Sequence, residues 1–277
     1  PAHRRSGRRK PATNGKMMRL IDTHFHYDFL PQDSRERFKA DLAREGVEII
    51  AQTVRPSGFV ELESESLPMA AVGYHPWYID GNYERELEIF RAALPRTRFI
   101  GEIGLDFAPR RLDDVSAETQ IHVFTSILDA VQASSLSHIL SIHTVRSAGV
   151  VLGLIEPRLD TSSSVAPGET FVPIFHRFGG TSDELTRLIR AGGYISVNPL
   201  MLRTKRGRAY VSQVPVDRLL LETDLPREPG SGDAVEAVAA EVVAALRETV
   251  AEVAALRKMD EAELANELAN NAKTLGI

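Results

Sequence analysis

The sequence predicts an α/β fold of the TIM, or (β/α)₈, barrel type, and three observations predict it. Eight short β-rich apolar runs alternate with helical segments, at 19–24, 47–53, 69–74, 98–103, 138–143, 171–176, 193–197 and 217–223. Several are nearly continuous, such as Val47-Glu48-Ile49-Ile50-Ala51 and Leu219-Leu220-Leu221, the pattern of parallel strands covered on both faces. The 277 residues suit one such barrel, which usually takes about 250. A doubly wound open sheet is the competing arrangement.

The segments between the strands read as helices and loops. At 116–134, Ile121, Phe124, Ile127, Leu128 and Val131 recur at helical spacing. A helix over 182–191 is announced by the cap signal Thr181-Ser182, with Glu184 shortly after. The Ala-, Glu- and Leu-rich stretch 233–272 reads as helical. Residues 157–170 and 227–233 are rich in Pro, Gly and Ser and read as loops.

Composition removes several classes of function. Hydrophobic residues make up 43% and charged residues 26%, which allows a globular core. Without cysteine there are no disulfides, thiolate metal sites or cysteine nucleophiles. No apolar run reaches the ~18 residues of a membrane span and no signal-peptide pattern is present, so a cytoplasmic protein is expected. Residues 1–19 hold seven Lys/Arg and no acid, leaving 26 basic against 38 acidic residues in the remainder. Residues 1–18 are expected to be a disordered basic tail, and 19–277 a single barrel domain. On so acidic a body a polyanion would have to be gripped locally.

The chemistry lies at the strand ends. The first strand ends in Asp22-Thr23-His24-Phe25-His26 and the fourth in Gly101-Glu102-Ile103-Gly104-Leu105-Asp106. The fifth ends in His143, the sixth in His176 and the eighth in Glu222-Thr223-Asp224. In a TIM barrel these ends converge on one mouth. In a strand, residues i and i+2 share a face, so His24 and His26 can reach one ion. Glu102 has two oxygens and can bridge two ions about 3.5–4 Å apart. His143 and His176 would hold the second ion. Asp224 would bind the first and take or relay a proton. Any one of these residues alone reads as a structural histidine, a cap or an ion-pair partner; the ordered set reads as a two-metal hydrolase. Imidazole-rich sites suit Zn, Mn, Fe or Co better than Mg. Past the seventh strand, Arg203, Lys205, Arg206 and Arg208 concentrate positive charge where barrel loops often bind phosphate; the alternative is a solvated helix start. Tyr74, Trp77 and Phe178 are the aromatics available for stacking on a base.

The motifs D-T-H-F-H-Y-D at 22–28, V-G-Y-H-P-W at 72–77, G-E-I-G-L-D-F at 101–107, S-I-H-T-V-R-S-A at 141–148, F-H-R-F-G-G at 175–180 and L-L-L-E-T-D-L-P at 219–226 resemble those of the TatD family of metal-dependent deoxyribonucleases. Gln120, Phe124 and the terminal N-N-A-K-T-L-G at 270–276 extend the resemblance to about residues 19–276. It implies two divalent ions on His24, His26, Glu102, His143, His176 and Asp224, Mg or Mn by the resemblance where the imidazole-rich donor set alone also suits Zn, with hydrolysis of DNA, often from an end. It also implies that His75 sits near the substrate phosphate, its alternative role being to orient neighbouring loops. The sequence departs from the family pattern at His143-Thr144-Val145-Arg146, one residue longer than usual, so Arg146 either reaches a phosphate or lies on the surface. It departs again at His176-Arg177-Phe178-Gly179-Gly180 and at Phe107-Ala108. The segment 194–207 looks more like the TatD-like component of Qat antiphage defence systems, which implies protein partners in a defence complex. Two further readings compete: a hydrolase of a small ester, lactone or amide, because such a metal cage does not fix the substrate, and a partner-binding subunit docking through 233–258.

Overall fold

A computed structural model describes residues 19–65, 67–159, 171–230 and 235–277. The basic tail at 1–18, residues 160–170 of the loop expected over 157–170, and residues 231–233 of the loop expected over 227–233 lie outside the described residues. Eight parallel strands form the frame: β1 (Leu20–Phe25), β2 (Val47–Ala51), β3 (Ala71–Tyr74), β4 (Phe99–Asp106), β5 (Ile139–Val145), β6 (Val172–His176), β7 (Tyr194–Val197) and β8 (Leu219–Leu221). Their order is β2-β1-β8-β7-β6-β5-β4-β3, and a parallel bridge between Ala51 and Ala70 joins the two outer strands. First and last strands are therefore neighbours and the sheet closes, which makes it a TIM barrel and excludes the doubly wound sheet.

A layer of apolar side chains, one from each strand, fills the lower barrel. Ile21, Ile50, Ala71, Phe99, Ile139, Ile174, Tyr194 and Leu220 pack together, closed from below by Ala272 and Leu275. The final helix, Glu261–Thr274, is held there by Asn271, whose side-chain amide donates to Val216 O (2.7 Å) and Leu219 O (2.9 Å). With that end plugged, the other end carries the polar inward side chains.

The helices follow the sequence signals with one refinement. The helix Ser182–Arg190 starts with a reciprocal capping box between Thr181 and Glu184. The stretch expected to be helical over 233–272 is two helices, Val235–Arg257 and Glu261–Thr274. Lys258 takes a left-handed φ of 56°, and Asp260 caps the second helix by accepting from Ala262 N and Glu263 N. The helix Ala148–Leu159 runs through Pro157 into the stretch expected as a loop.

Two irregularities shape the mouth. The pairing of β1 with β2 shifts between Asp22 and Phe25, and that of β4 with β3 and β5 shifts between Ile100 and Ile103. Such bulges re-aim side chains, and these two coincide with His24 and Glu102. Beside them Thr53, just past β2, bonds directly to β4: Thr53 N donates to Gly101 O (3.1 Å) and Glu102 N donates to Thr53 O (2.9 Å). Gly73 makes room for this crossing, because a Cβ there would stand 1.9 Å from Thr53 O and 2.4 Å from Glu102 N. Both contacts are backbone and cannot rotate away. Gly73→Ala is therefore expected to destabilise the fold by about 3 kcal/mol or more, read as a lowered denaturation midpoint; an unchanged midpoint would contradict this account of the closure.

Candidate metal centre

Glu102 sits at the centre of the mouth, buried, among five imidazoles. Its Oε1 lies 2.8 Å from His143 Nδ1, 2.8 Å from His176 Nε2 and 3.3 Å from His75 Nε2. Its Oε2 lies 3.3 Å from both His24 Nε2 and His26 Nε2. Asp224 Oδ1 approaches from β8, 3.4 Å from His26 Nε2 and 3.8 Å from His24 Nε2. All six residues singled out as ligands thus converge, in two groups on opposite oxygens of Glu102.

Local backbone structure produces this convergence. Asp22 Oδ1 accepts from His24 N (3.1 Å) and Thr223 N (3.0 Å), tying β1 to the end of β8. Asp224 is held at φ 61° by its N–H, which donates to His24 O (3.0 Å). Arg146 and Arg177 also take positive φ, 55° and 45°. Non-glycine residues in this region are uncommon and gather at functional sites.

These histidines have outer neighbours behind the ring, hydrogen-bonded in the case of His24 and His143. His24 Nδ1 and Ser141 Oγ share a hydrogen bond of 2.7 Å. His143 Nε2 faces Asp106 Oδ2 at 3.2 Å, and His176 Nδ1 faces the fully buried Glu222 Oε1 at 3.7 Å. Glu222 is itself held by Ser196 Oγ and by Asn198 Nδ2 at 3.1 Å. The His26 ring stacks on Phe29, centroids 4.7 Å apart. Outer-shell carboxylates of this kind orient metal-binding imidazoles.

The electrostatics match a cation-binding cage. Burial works against the charge on Glu102, yet the histidines crowded around it, one of them, His143, hydrogen-bonded to it, hold its carboxyl well below the usual range. Burial also works against a charged His26, but the Asp224 and Glu102 carboxylates raise it to about 10. The carboxylates thus draw protons onto neighbouring imidazoles, and those protons are what a divalent cation would replace. The donor set fits such a cation. Buried His24 Nε2 makes no hydrogen bond. Ligands about 2.1 Å from one ion stand about 3.0–3.4 Å apart at octahedral or tetrahedral angles, close to the separations above. The ligating atoms of His24, His26 and Glu102 lie within 4.8 Å of one another, as do those of His24, His176 and Asp224.

His75 also comes within that range of Glu102 and His143, but its tautomer argues for another role. His75 Nδ1 accepts from Trp77 N (3.0 Å). Burial lowers the ring to about pKa 4 despite the pull of Glu102, so it is neutral and its proton sits on Nε2. A metal needs a lone pair there; His75 offers an N–H.

The cage opens into a cleft of about 830 Å³ whose wall includes Arg110, Arg146, Arg177, Arg227 and Glu228. Arg146 is thus at the mouth. Arg203 lies in an adjoining groove with Arg227, Glu241 and Glu248, and Lys205, exposed in the first turn of the helix Lys205–Gln213, lines neither. The sequence reading assigned no role to Asp106, Glu222, Ser141, Arg110 or Arg177. Asp106 was within reach of it, since it lies on the same strand face as Glu102 at i+4.

These features define a metal-dependent hydrolase built on the C-terminal mouth of a TIM barrel. The chain belongs to the TatD related DNase family, whose model matches residues 21–275. It is 28% identical over 271 residues to YjjV, an uncharacterized metal-dependent hydrolase of Escherichia coli K12, covering 93% of this chain and 97% of that one. The crystal structure of E. coli YjjV, a TatD homolog, superposes with a TM-score of 0.72 at 26% identity, covering 94% of this chain and 98% of YjjV. A 3'-5' ssDNA/RNA exonuclease TatD of Cronobacter turicensis is 36% identical over 138 residues, about half of each chain.

Glu222→Gln keeps the size of the group behind His176 and removes its charge. Affinity for Mn²⁺ or Zn²⁺, measured by calorimetry on chelator-stripped protein, is expected to fall about 10–100-fold; unchanged affinity would show that Glu222 does not support a ligand.

Proposed function

We propose that the protein hydrolyses phosphodiester bonds of nucleic acid with two divalent cations. One would be held by His24, His26, Asp224 and Glu102, the other by His143, His176 and Glu102. The observation that carries this reading is the charge layout. A cage of carboxylates and imidazoles lies beneath a rim bearing Arg110, Arg146, Arg177 and Arg227 against Glu228, on a body whose acids outnumber its bases. An arginine rim above a metal site suits an anionic ester better than a neutral lactone or amide.

Bound divalent cations supply Lewis acidity and a nucleophile available at neutral pH. The chain's own groups do the rest. Asp224, whose Oδ1 lies 3.4 Å from His26 Nε2 at the edge of the cage, accepts the proton of the attacking water. His75 Nε2–H donates to a phosphoryl oxygen. Arg146 and Arg177 bind flanking phosphates, and Arg177 Nη1, 3.7 Å from Asp224 Oδ2, places one such contact beside the proton acceptor. The name of the C. turicensis relative, a 3'-5' ssDNA/RNA exonuclease, supports an exonucleolytic mode.

End-labelled single-stranded DNA tests this. With Mn²⁺ the protein is expected to shorten the label progressively from one end, and Glu102→Ala to abolish the shortening. An uncut substrate in the presence of protein that has taken up metal would refute the nuclease reading and favour a small ester.

A further inference from the structure

Of the three aromatics that the sequence offers for stacking, two are unavailable. Tyr74 and Phe178 are 1% and 2% exposed, whereas Trp77 is 37% exposed and lines the cleft. Trp77 is the single tryptophan of the chain. An indole left this open at an active-site mouth usually costs side-chain entropy on binding, but this one is already fixed. Its Nε1–H donates to Asp106 Oδ2 (2.6 Å), and its backbone N–H donates to His75 Nδ1 (3.0 Å). The Arg110 guanidinium lies over the ring, 4.3 Å from its centroid.

We propose that Trp77, layered with Arg110, is the platform on which a nucleobase next to the scissile phosphodiester stacks. This rests on the phosphodiesterase reading and adds a base contact to it. Two features fit the assignment. The guanidinium lies over the indole ring, and base stacking on aromatics and on arginine tolerates any base. Asp106 links the platform to the cage, because the same Oδ2 faces His143 Nε2 at 3.2 Å, so the indole nitrogen is two hydrogen-bond steps from a proposed ligand.

Asp106 is the positioning residue of the arrangement. Its Oδ2 accepts from the indole N–H (2.6 Å) and faces His143 Nε2 (3.2 Å), while its Oδ1 accepts from Ala108 N (2.8 Å).

Because Trp77 is the sole tryptophan, intrinsic fluorescence reports on this site alone. Chelator-treated protein is titrated with a short oligothymidylate and with an abasic oligomer of equal length and charge. Quenching by the first and not the second is expected. In the Mn²⁺-loaded enzyme Trp77→Ala is expected to raise KM for the oligothymidylate about tenfold and to erase the preference over the abasic oligomer, while Trp77→Phe retains most of it. Equal quenching by both oligomers, or a preference that survives Trp77→Ala, overturns the proposal even if cleavage proceeds. Selective quenching without cleavage by metal-loaded protein would sink the phosphodiesterase reading and leave the base platform standing. No quenching and no cleavage would overturn both.

Discussion

The structure turns on one buried carboxylate shared by five imidazoles. Glu102, on β4, brings imidazoles from β1 and its end, from β5 and β6, and from the turn after β3 to within 3.3 Å of its oxygens. A buried carboxylate needs compensating charge, and neutral imidazoles supply none. The cage is therefore completed either by protons on the histidines or by cations, and the raised His26 and His176 show the pull that a metal would satisfy.

Much of the scaffold serves to keep that crowd in place. The apolar layer below and the final helix close the opposite end of the barrel. The bulges in β1 and β4 turn His24 and Glu102 inward, and the glycine at 73 lets the chain after β2 bond directly to β4. Ser141 and Asp106 then fix His24 and His143 from behind, and Glu222 stands 3.7 Å behind His176. Each outer residue lies on a strand or at its end, where the register already sets its position.

The strand pattern, the barrel and the six residues of the cage were legible in the sequence because they depend on local features: nearly continuous apolar runs, and histidines and carboxylates at strand ends. What was not legible depends on contacts between segments distant in sequence. Arg203 and Lys205 sit in a basic run past β7 that does not line the cleft, whereas Arg177 lines it and stands beside Asp224. No spacing rule ties Trp77 to Asp106, which lies 29 residues away. The tautomer of His75 likewise depends on a backbone N–H two residues on, visible only once the Pro76 turn is formed. The break at Lys258 could have been read, since Asp260 followed by Glu263 is a helix-start signal.

The central claim is that the two oxygens of Glu102 serve two different cations. Anomalous diffraction from crystals soaked in Mn²⁺ tests it directly. The account predicts two peaks flanking the Glu102 carboxylate about 3.5–4 Å apart, one beside His24, His26 and Asp224 and the other beside His143 and His176. A single peak, or a second one seated away from Glu102, would contradict it.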